Sequence, residues 1–286
     1  MSLKHIIAIA AGGDGDGQAL GLASGLASQH DGVVEVLPVY PDSAADMIAL
    51  GMTLGAHLSP EAVEELAAAE RELQGRIEAS ARAAANEADV VFGPGEGAPR
   101  MSVLGRGLRP ALAVSRQAPL ADLVVFGQGH LDRGPGRDVF GQCLLADRAP
   151  VLVARHDVDS LSGPAAIAWD GSPQAGRAVK AALPLLAMAS EIHIVQCVTG
   201  LDQDATDPDI DALNAYLRLH GVGEGAAVLV EGRDEGAALI AAAKGKAATL
   251  LIAGAWGRSR LREAVFGGAT RAFLGCKDGP NLLLAH

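Results

Sequence analysis

A glycine- and arginine-rich segment near the carboxyl end of the chain has the composition of a phosphate-binding loop. The run from Leu250 to Leu274 reads LLIAGAWGRSRLREAVFGGATRAFL. An apolar strand is predicted to end at Gly254, and a helix is predicted to follow the pair Gly267–Gly268. Glycine lets backbone N–H groups approach an anion, and the start of a helix supplies unpaired N–H donors with a partial positive charge. The segment therefore predicts a site for a phosphate group.

Cationic side chains cluster in the same segment. Arg258, Arg260 and Arg262 lie in the loop and Arg271 lies just beyond it, although this half of the chain is acidic overall. Clustered cations beside a glycine-rich turn suit a phosphate. The alternative interpretation is that the arginines are solvated surface residues and that the glycines only turn the chain.

The spacing of these glycines resembles a known nucleotide-binding pattern. Gly254, Gly257, Gly267 and Gly268 follow the spacing G-x2-G-x9-G-G, which is similar to the G-x2-G-x9-G-[ST] pattern of the universal stress protein family. The upstream run Trp169–Ser172 (WDGS) resembles the first strand and turn of that family. The resemblance covers nearly all of residues 163–286 and, more loosely, residues 3–156.

The resemblance implies a set of ligand-binding residues and a ligand. The implied residues are Asp170, Val198, Gly254, Gly257, Arg258, Gly267, Gly268, Ala269 and Thr270. By this likeness Asp170 and Val198 would flank the adenine and ribose, and the glycines would lie against the ribose and phosphates. The implied cofactor is ATP, with or without Mg²⁺, or none.

One departure from the pattern weakens the expected binding. Gly268 stands where ATP-binding members carry Ser or Thr, so one hydroxyl hydrogen bond is lost, worth roughly 0.5–1.5 kcal/mol. The backbone donor remains, and Thr270 lies two residues further on. We therefore expect weakened rather than abolished binding.

Catalytic and metal-binding residues are not predicted. No general base or nucleophile stands near the loop, so we expect weak ATPase activity at most. The chain has eight histidines, but they are scattered without the spacing of metal ligands.

The elements that would position this loop occur twice along the chain. Short apolar strands alternate with helical segments in both halves, which is typical of a parallel sheet with helices on both faces. The matching strand segments are His5–Ala10 with Ala165–Trp169, Ala121–Gly127 with Ala248–Gly254, and Ala149–Arg155 with Gly279–Ala285. In the first half, Ser59-Pro60 predicts the start of an additional long helix that ends near Asn86.

The duplication predicts an α/β fold with two tandem doubly wound domains, residues 1–156 and residues 163–286. The family resemblance implies that each is a five-stranded parallel sheet in the order 3-2-1-4-5. It also implies that the closing strands, Val151–Ala154 and Leu282–Ala285, lie at edges and pair the two domains. The chain would then be an internal pseudo-dimer, alone or within a homodimer.

The first half departs further from the family pattern. Ala11 matches the place of Asp170, and His130 replaces the second motif glycine. The spacing from there to Gly141 is one residue longer, and Gln142 follows. We expect this half to be a structural partner rather than a second site. Its Gly12–Gly17 run is predicted to be a flexible turn.

Composition excludes several classes of partner. The chain has 286 residues, 49% hydrophobic and 20% charged, with a net charge of −11. Both halves are acidic and no polybasic stretch occurs, which argues against nucleic acid and anionic membranes as partners. Three widely spaced cysteines do not indicate a disulfide framework. Without a predicted signal or membrane segment, a cytoplasmic protein is expected.

Three functions remain open at this point. The first is a nucleotide-binding stress or signalling module that holds ATP or a related nucleotide without efficient catalysis. The second is a ligand-free module of the same fold that binds another protein. The third, disfavoured because the leading serine of the pyrophosphatase loop is absent, is an enzyme of the related nucleotide α-hydrolase group.

Overall fold

Strands and helices alternate along the chain in the computed structural model, which describes residues 2–40, 59–105, 110–132, 134–201, 206–255 and 268–286. The strands are β1 (His5–Ala10), β2 (Val33–Pro38), β3 (Val91–Phe92), β4 (Arg100–Val103), β5 (Leu123–Gly127), β6 (Val151–Ala154), β7 (Ala165–Ala168), β8 (Ile192–Cys197), β9 (Ala226–Val230), β10 (Leu250–Gly254) and β11 (Asn281–Ala285). The helices are α1 (Asp16–His30), α2 (Pro60–Glu87), α3 (Pro110–Gln117), α4 (Pro135–Gly141), α5 (Pro173–Leu186), α6 (Ile210–Leu219), α7 (Glu235–Gly245) and α8 (Gly268–Gly275).

These eleven strands form one continuous sheet in the order β3-β4-β2-β1-β5-β6-β11-β10-β7-β8-β9. Neighbouring strands are parallel except at the centre, where β6 and β11 run antiparallel and Leu152 lies opposite Leu283. The prediction that the closing strands pair the two halves is thereby confirmed. Parallel strands that are covered on both faces have near-continuous apolar sequences, which explains the apolar runs in this chain.

The sheet differs in strand number from the predicted two five-stranded units. The second half has the expected order, β9-β8-β7-β10-β11, but the first half contributes a sixth strand, the two-residue β3 beside β4. The pairing of the closing strands joins the two units into one sheet, because β6 and β11 satisfy each other's backbone hydrogen bonds where each would otherwise be an edge. The domain bounds, 1–156 and 163–286, stay a prediction.

Helices cover both faces of the sheet, and alternate strand residues point to opposite layers of the core. In β1, Ile6 packs in the layer that contains α1, α2, α5 and α6, whereas Ile7 packs in the layer of α3, α4, α7 and α8. This alternation follows from the two-residue period of a strand. The two layers position the carboxyl ends of the strands.

Two serine–proline pairs begin helices as local capping rules require. The Ser59 hydroxyl accepts a hydrogen bond from the Ala62 N–H at 3.2 Å, and the predicted long helix α2 runs from Pro60 to Glu87. Ser172 caps α5 in the same way, accepting from the Ala175 N–H at 3.2 Å. Such caps satisfy N–H groups that lack a partner within the helix.

The segment between the halves is held by Asn281 at the start of β11. Its Oδ1 atom accepts from the N–H groups of Arg155 and His156 at 2.8 and 3.0 Å, and its Nδ2 atom donates to the Ser160 hydroxyl at 3.0 Å. Leu161, in the same segment, is fully buried in the core. The two halves are therefore joined by side-chain bonds as well as by the sheet.

Among the residues that the structure describes, no helix has both the length and the apolar content that crossing a bilayer requires.

Candidate functional site

Asp170 lies half-buried just after β7, at the carboxyl edge of the second half of the sheet. Its Oδ1 atom accepts from the Ser172 N–H at 2.9 Å, which holds the tight turn into α5. Gly171 in this turn has a φ of 70°, and a Cβ there would lie 2.2 Å from the Asp207 carbonyl oxygen. Only glycine fits this turn, so the D-G-S motif is locally required.

Gly254, the last residue of β10, is the point where the strand touches the start of α5. A Cβ at this position would lie 2.6 Å from the backbone nitrogen of Ala175 and 2.9 Å from the carbonyl carbon of Gln174. The glycine therefore brings the N-terminus of α5 against the end of β10. This packing role accounts for Gly254 without any ligand.

The start of α8 presents three of the predicted site residues in different environments. Gly268 is exposed, and a Cβ built there meets no atom of the described residues within 4 Å. Ala269 packs against α7, where a Cβ on Gly236 would lie 2.8 Å from the Ala269 Cα atom. Thr270, two residues further on, is buried.

Glu235, which the sequence interpretation missed, adds a second carboxyl group to the site. It is the first residue of α7, after the capping residue Asp234, and it is partly buried. Burial raises the pKa of Glu235, and the negative charge of Asp170 raises it further. The sequence did contain a signal for Glu235: the acidic pair Asp234–Glu235 begins the helix that follows β9, the third strand of the repeat. Such a position lies at the carboxyl edge of the sheet, where ligands bind.

Of the four remaining predicted site residues, the structure describes Val198 and does not describe the other three. Val198 follows β8 directly and is 39% exposed, so an apolar surface is available at the end of the second strand of the repeat. Gly257, Arg258 and Gly267 lie outside the described residues, as do Arg260 and Arg262.

Arg271 is the member of the predicted arginine cluster that the structure describes. It lines a cavity formed with residues of the first half, including Arg137. The sequence grouped Arg271 with the loop arginines because it is close to them in the chain. The other three arginines of the cluster lie outside the described residues, so the grouping stays a prediction.

In the first half, the side chains of Asp16 and His130 lie between the turn after β1 and the turn after β5. The carboxylate of Asp16 accepts from the N–H groups of Ala11 and Gly12, both at 2.8 Å, and from Nε2 of His130 at 2.8 Å. Nδ1 of His130 in turn accepts from the Gly127 N–H at 3.1 Å, so the imidazole is neutral with its proton on Nε2. The turn predicted to be flexible is thus held by an internal anion.

Close backbone contacts lock the two loops of the first half together. A Cβ on Gly127 would lie 2.0 Å from the Gly15 carbonyl oxygen, and one on Gly129 would lie 2.6 Å from the Asp14 carbonyl oxygen. The imidazole and this contact leave the first-half loop closed. That His130 spoils a phosphate cradle there stays a prediction.

A separate cavity of about 570 Å³ lies between the end of β8 and the start of α6. Asp207, Asp209 and Asp211 line it together with Gln196 and Leu229. Because this lining carries carboxylates and no cation, the cavity is unsuited to a phosphate. Within the described part of the chain, no group of three or more His, Cys, Asp or Glu side chains is placed to hold a metal ion.

Comparison with solved structures identifies the fold. A universal stress protein from Archaeoglobus fulgidus matches with a TM-score of 0.68 and 16% sequence identity, covering 99% of this chain and 96% of its own. A protein of unknown function from Pseudomonas aeruginosa matches with a TM-score of 0.55, 13% identity and coverage of 99% and 92%. A protein from the same species assigned to the universal stress proteins gives a TM-score of 0.52, 13% identity and coverage of 99% and 93%.

No protein-family model matches the sequence, and a search of curated proteins finds no relative. The matches to solved structures nevertheless show that the chain has the fold of a universal stress protein along its whole length, including the tandem arrangement, as the sequence resemblance predicted.

Proposed function

We propose that residues 163–286 bind an adenine nucleotide, and that the protein is a nucleotide-binding stress or signalling module without efficient catalysis. The observation that carries this proposal is the meeting of the N-termini of α5, α7 and α8 beside Asp170, around the ends of β7 and β10. Helix N-termini supply free N–H donors and a partial positive charge for phosphate oxygens. Crevices at the carboxyl ends of parallel strands are also where α/β sheets bind ligands.

The residues around these N-termini offer two kinds of binding group, one for the base and ribose of a nucleotide and one for its phosphates. Asp170 and Glu235 offer carboxyl groups that accept from ribose hydroxyls or an exocyclic amine, and the exposed Val198 side chain offers apolar contact to a base. The open start of α8 at Gly268 suits the anionic end. A Mg²⁺ ion bound with a triphosphate would reduce its repulsion from the two carboxyl groups.

Efficient catalysis is not part of the proposal. Neither the described part of the site nor the sequence of its loop pairs a nucleophile with an adjacent base at the phosphate end. Slow hydrolysis of a held nucleotide is the most that the arrangement supports.

A second candidate is a ligand-free module that binds another protein. It is favoured by the Asp16–His130 pair, which closes the first-half loop, since the fold in this chain is maintained there by an internal anion. Gly254 also has a packing role that needs no ligand. The motif glycines alone therefore do not decide between the two candidates.

Gly268 permits a direct test, because a Cβ at this position meets no atom of the described part of the chain within 4 Å. Gly268→Asp would place a carboxylate at the phosphate end, and we expect it to abolish the thermal shift that Mg-ATP produces in the wild type. Gly268→Ser restores the hydroxyl of the family pattern and should increase the shift. Gly141→Asp is the control in the first half, because Gly141 is the counterpart of Gly267, one residue before the motif position of Gly268, and a Cβ there also meets no atom of the described residues within 4 Å.

The outcome separates the candidates. Absence of a shift with Mg-ATP in the wild type, together with no nucleotide in native mass spectra of freshly purified protein, would leave the protein-binding module. A shift that survives Gly268→Asp but disappears with Gly141→Asp would place the nucleotide in the first half instead.

A further inference from the structure

A second cavity, of about 240 Å³, lies at the junction of the two halves. One wall is formed by α8 and the residues after it, through Arg271 and Lys277, and the other by the first half, through Arg137 and Phe140. It opens at the far end of α8 from Gly268, and it shares no described residue with the nucleotide site proposed above.

The charge of this cavity is opposite to that of the protein. The chain carries a net charge of −11, yet the described lining of the cavity contains Arg137, Arg271 and Lys277 together with one carboxylate, that of Asp132. Lys277 and Asp132 form an ion pair across the junction at 2.6 Å, with both side chains largely exposed. A concave surface lined by one sign of charge concentrates ligands of the opposite sign.

The floor of the cavity is held by a buried arginine. Nε of Arg155 donates to Oε1 of Gln128 at 2.8 Å, and its Nη1 and Nη2 atoms donate to the carbonyl oxygens of Pro280 and Phe273, both at 2.7 Å. Gln128, which lines the cavity, donates in turn to the Leu274 carbonyl oxygen at 3.1 Å. These bonds join the two halves, so the cavity wall is ordered before any ligand arrives.

Arg155 also adds to the positive potential. Burial lowers the pKa of Arg155 to about 10, while the nearby Cys276 and Asp278 act in the opposite direction. The guanidinium therefore remains charged at neutral pH behind the Gln128 side chain. Its charge is screened less than those of surface cations, because it is buried.

We propose that this cavity binds a small phosphate monoester. Arginines from two helices, α4 and α8, suit the several oxygens of a phosphate group. Leu131, Phe140 and Leu274 supply an apolar wall for a short carbon skeleton. The volume corresponds to about eight water molecules, which admits a ligand much smaller than a nucleotide.

The site is tested by calorimetric titration of the whole protein with glycerol 3-phosphate, inorganic phosphate and, as the uncharged comparison, glycerol. We expect glycerol 3-phosphate to bind and glycerol not to bind. Arg137→Gln combined with Lys277→Gln should weaken binding at least tenfold. Asp132→Asn removes the competing carboxylate and should tighten binding several-fold, so the test does not depend on loss of function alone.

Two controls keep the result specific. Arg71→Gln with Arg76→Gln changes the net charge equally on the surface of α2, where both arginines form exposed ion pairs, and should change the affinity less than twofold. Gly268→Asp should also leave it unchanged, because that variant alters only the proposed nucleotide site. Failure of this control with the others intact would put the phosphate at the start of α8, and the junction proposal would be wrong.

The remaining outcomes are equally decisive. No binding by the wild type, or equal losses in the junction pair and the α2 pair, would overturn the proposal. Inorganic phosphate that binds as tightly as glycerol 3-phosphate would support the site and assign the free ion as its ligand. None of these outcomes depends on whether ATP binds to the second half.

Discussion

Nε2 of His130 lies 2.8 Å from Oδ1 of Asp16, and each of the two residues is only 3% exposed. The pair lies at the carboxyl edge of the first half, between the turn after β1 and the turn after β5. In the second half Asp170 stands at the place of Ala11, and Gly257, the counterpart of His130, lies outside the described residues. The first half thus carries an internal carboxylate where the second half carries a candidate nucleotide site.

Replacing Asp16 by Ala should destabilise the protein strongly. The change leaves three donors without an acceptor, the N–H groups of Ala11 and Gly12 and the Nε2 proton of His130. We expect a loss of about 2–4 kcal/mol in the free energy of unfolding, measured by urea denaturation. Asp14→Ala, at an exposed position of the same turn, should change it by less than about 0.5 kcal/mol. Equal effects at the two positions would show that the Asp16–His130 pair contributes nothing.

Replacing Arg155 by Lys should weaken the junction between the halves. A compact ammonium cannot reach Gln128, Pro280 and Phe273 with the spread of the planar guanidinium. We expect a loss of about 2–4 kcal/mol in the free energy of unfolding. Arg71→Lys, in an exposed ion pair with Glu64, should cost less than about 0.5 kcal/mol. A junction variant as stable as this control would contradict the role assigned to Arg155.

Replacing Glu235 by Gln should raise stability in a pH-dependent way. The folded-state pKa of Glu235 is raised above its ordinary value of 4.5, so ionisation is less favourable in the folded state and stability is lost as pH rises through this range. The neutral Gln avoids this loss. We expect the variant to melt about 1–3 °C higher than the wild type near pH 7, and the difference to vanish below pH 4.5.

The exposed Glu231, which directly follows β9, provides the control for this experiment. Glu231→Gln should leave the melting temperature unchanged at both pH values. A rise that is the same at low and neutral pH would show that side-chain shape, and not the buried charge of Glu235, is responsible.

The two motif glycines should respond differently to alanine. At Gly254 the added Cβ would meet the backbone of α5 at 2.6 Å, and we expect Gly254→Ala to cost about 1–3 kcal/mol in the free energy of unfolding. Gly268→Ala meets no neighbour and should be neutral or stabilising by up to about 1 kcal/mol, since alanine restricts the unfolded chain. Similar destabilisation by both changes would mean that Gly268 is also required for packing.

Much of the fold could be predicted from the residues because its signals are local. The apolar runs of β1, β5, β7 and β10 have the length and composition of buried parallel strands, and Ser59-Pro60 marks the start of α2 within a few residues. The sixth strand of the first half escaped prediction because Val91–Phe92 is too short to show a period.

The candidate site was less predictable because its partners are distant in the chain. Gly254 was found from motif spacing, but its packing against Ala175 could be seen only in three dimensions. Arg271 was grouped with the phosphate loop by proximity in sequence, and only the structure shows that it also lines the cavity at the junction of the two halves. Glu235 was missed because its relation to Asp170 arises from the packing of α7 across the sheet.

The sequence by itself determined the duplication, the parallel α/β architecture, and which half retains the glycine pattern, since these follow from periodicity and spacing along the chain. The tertiary structure decided which side chains meet. His130 and Asp16 are 114 residues apart, and Arg155 reaches carbonyl oxygens more than a hundred residues further along the chain. Such contacts depend on strand order and on the antiparallel pairing of β6 with β11, because only that pairing brings the end of β5 against the end of α8.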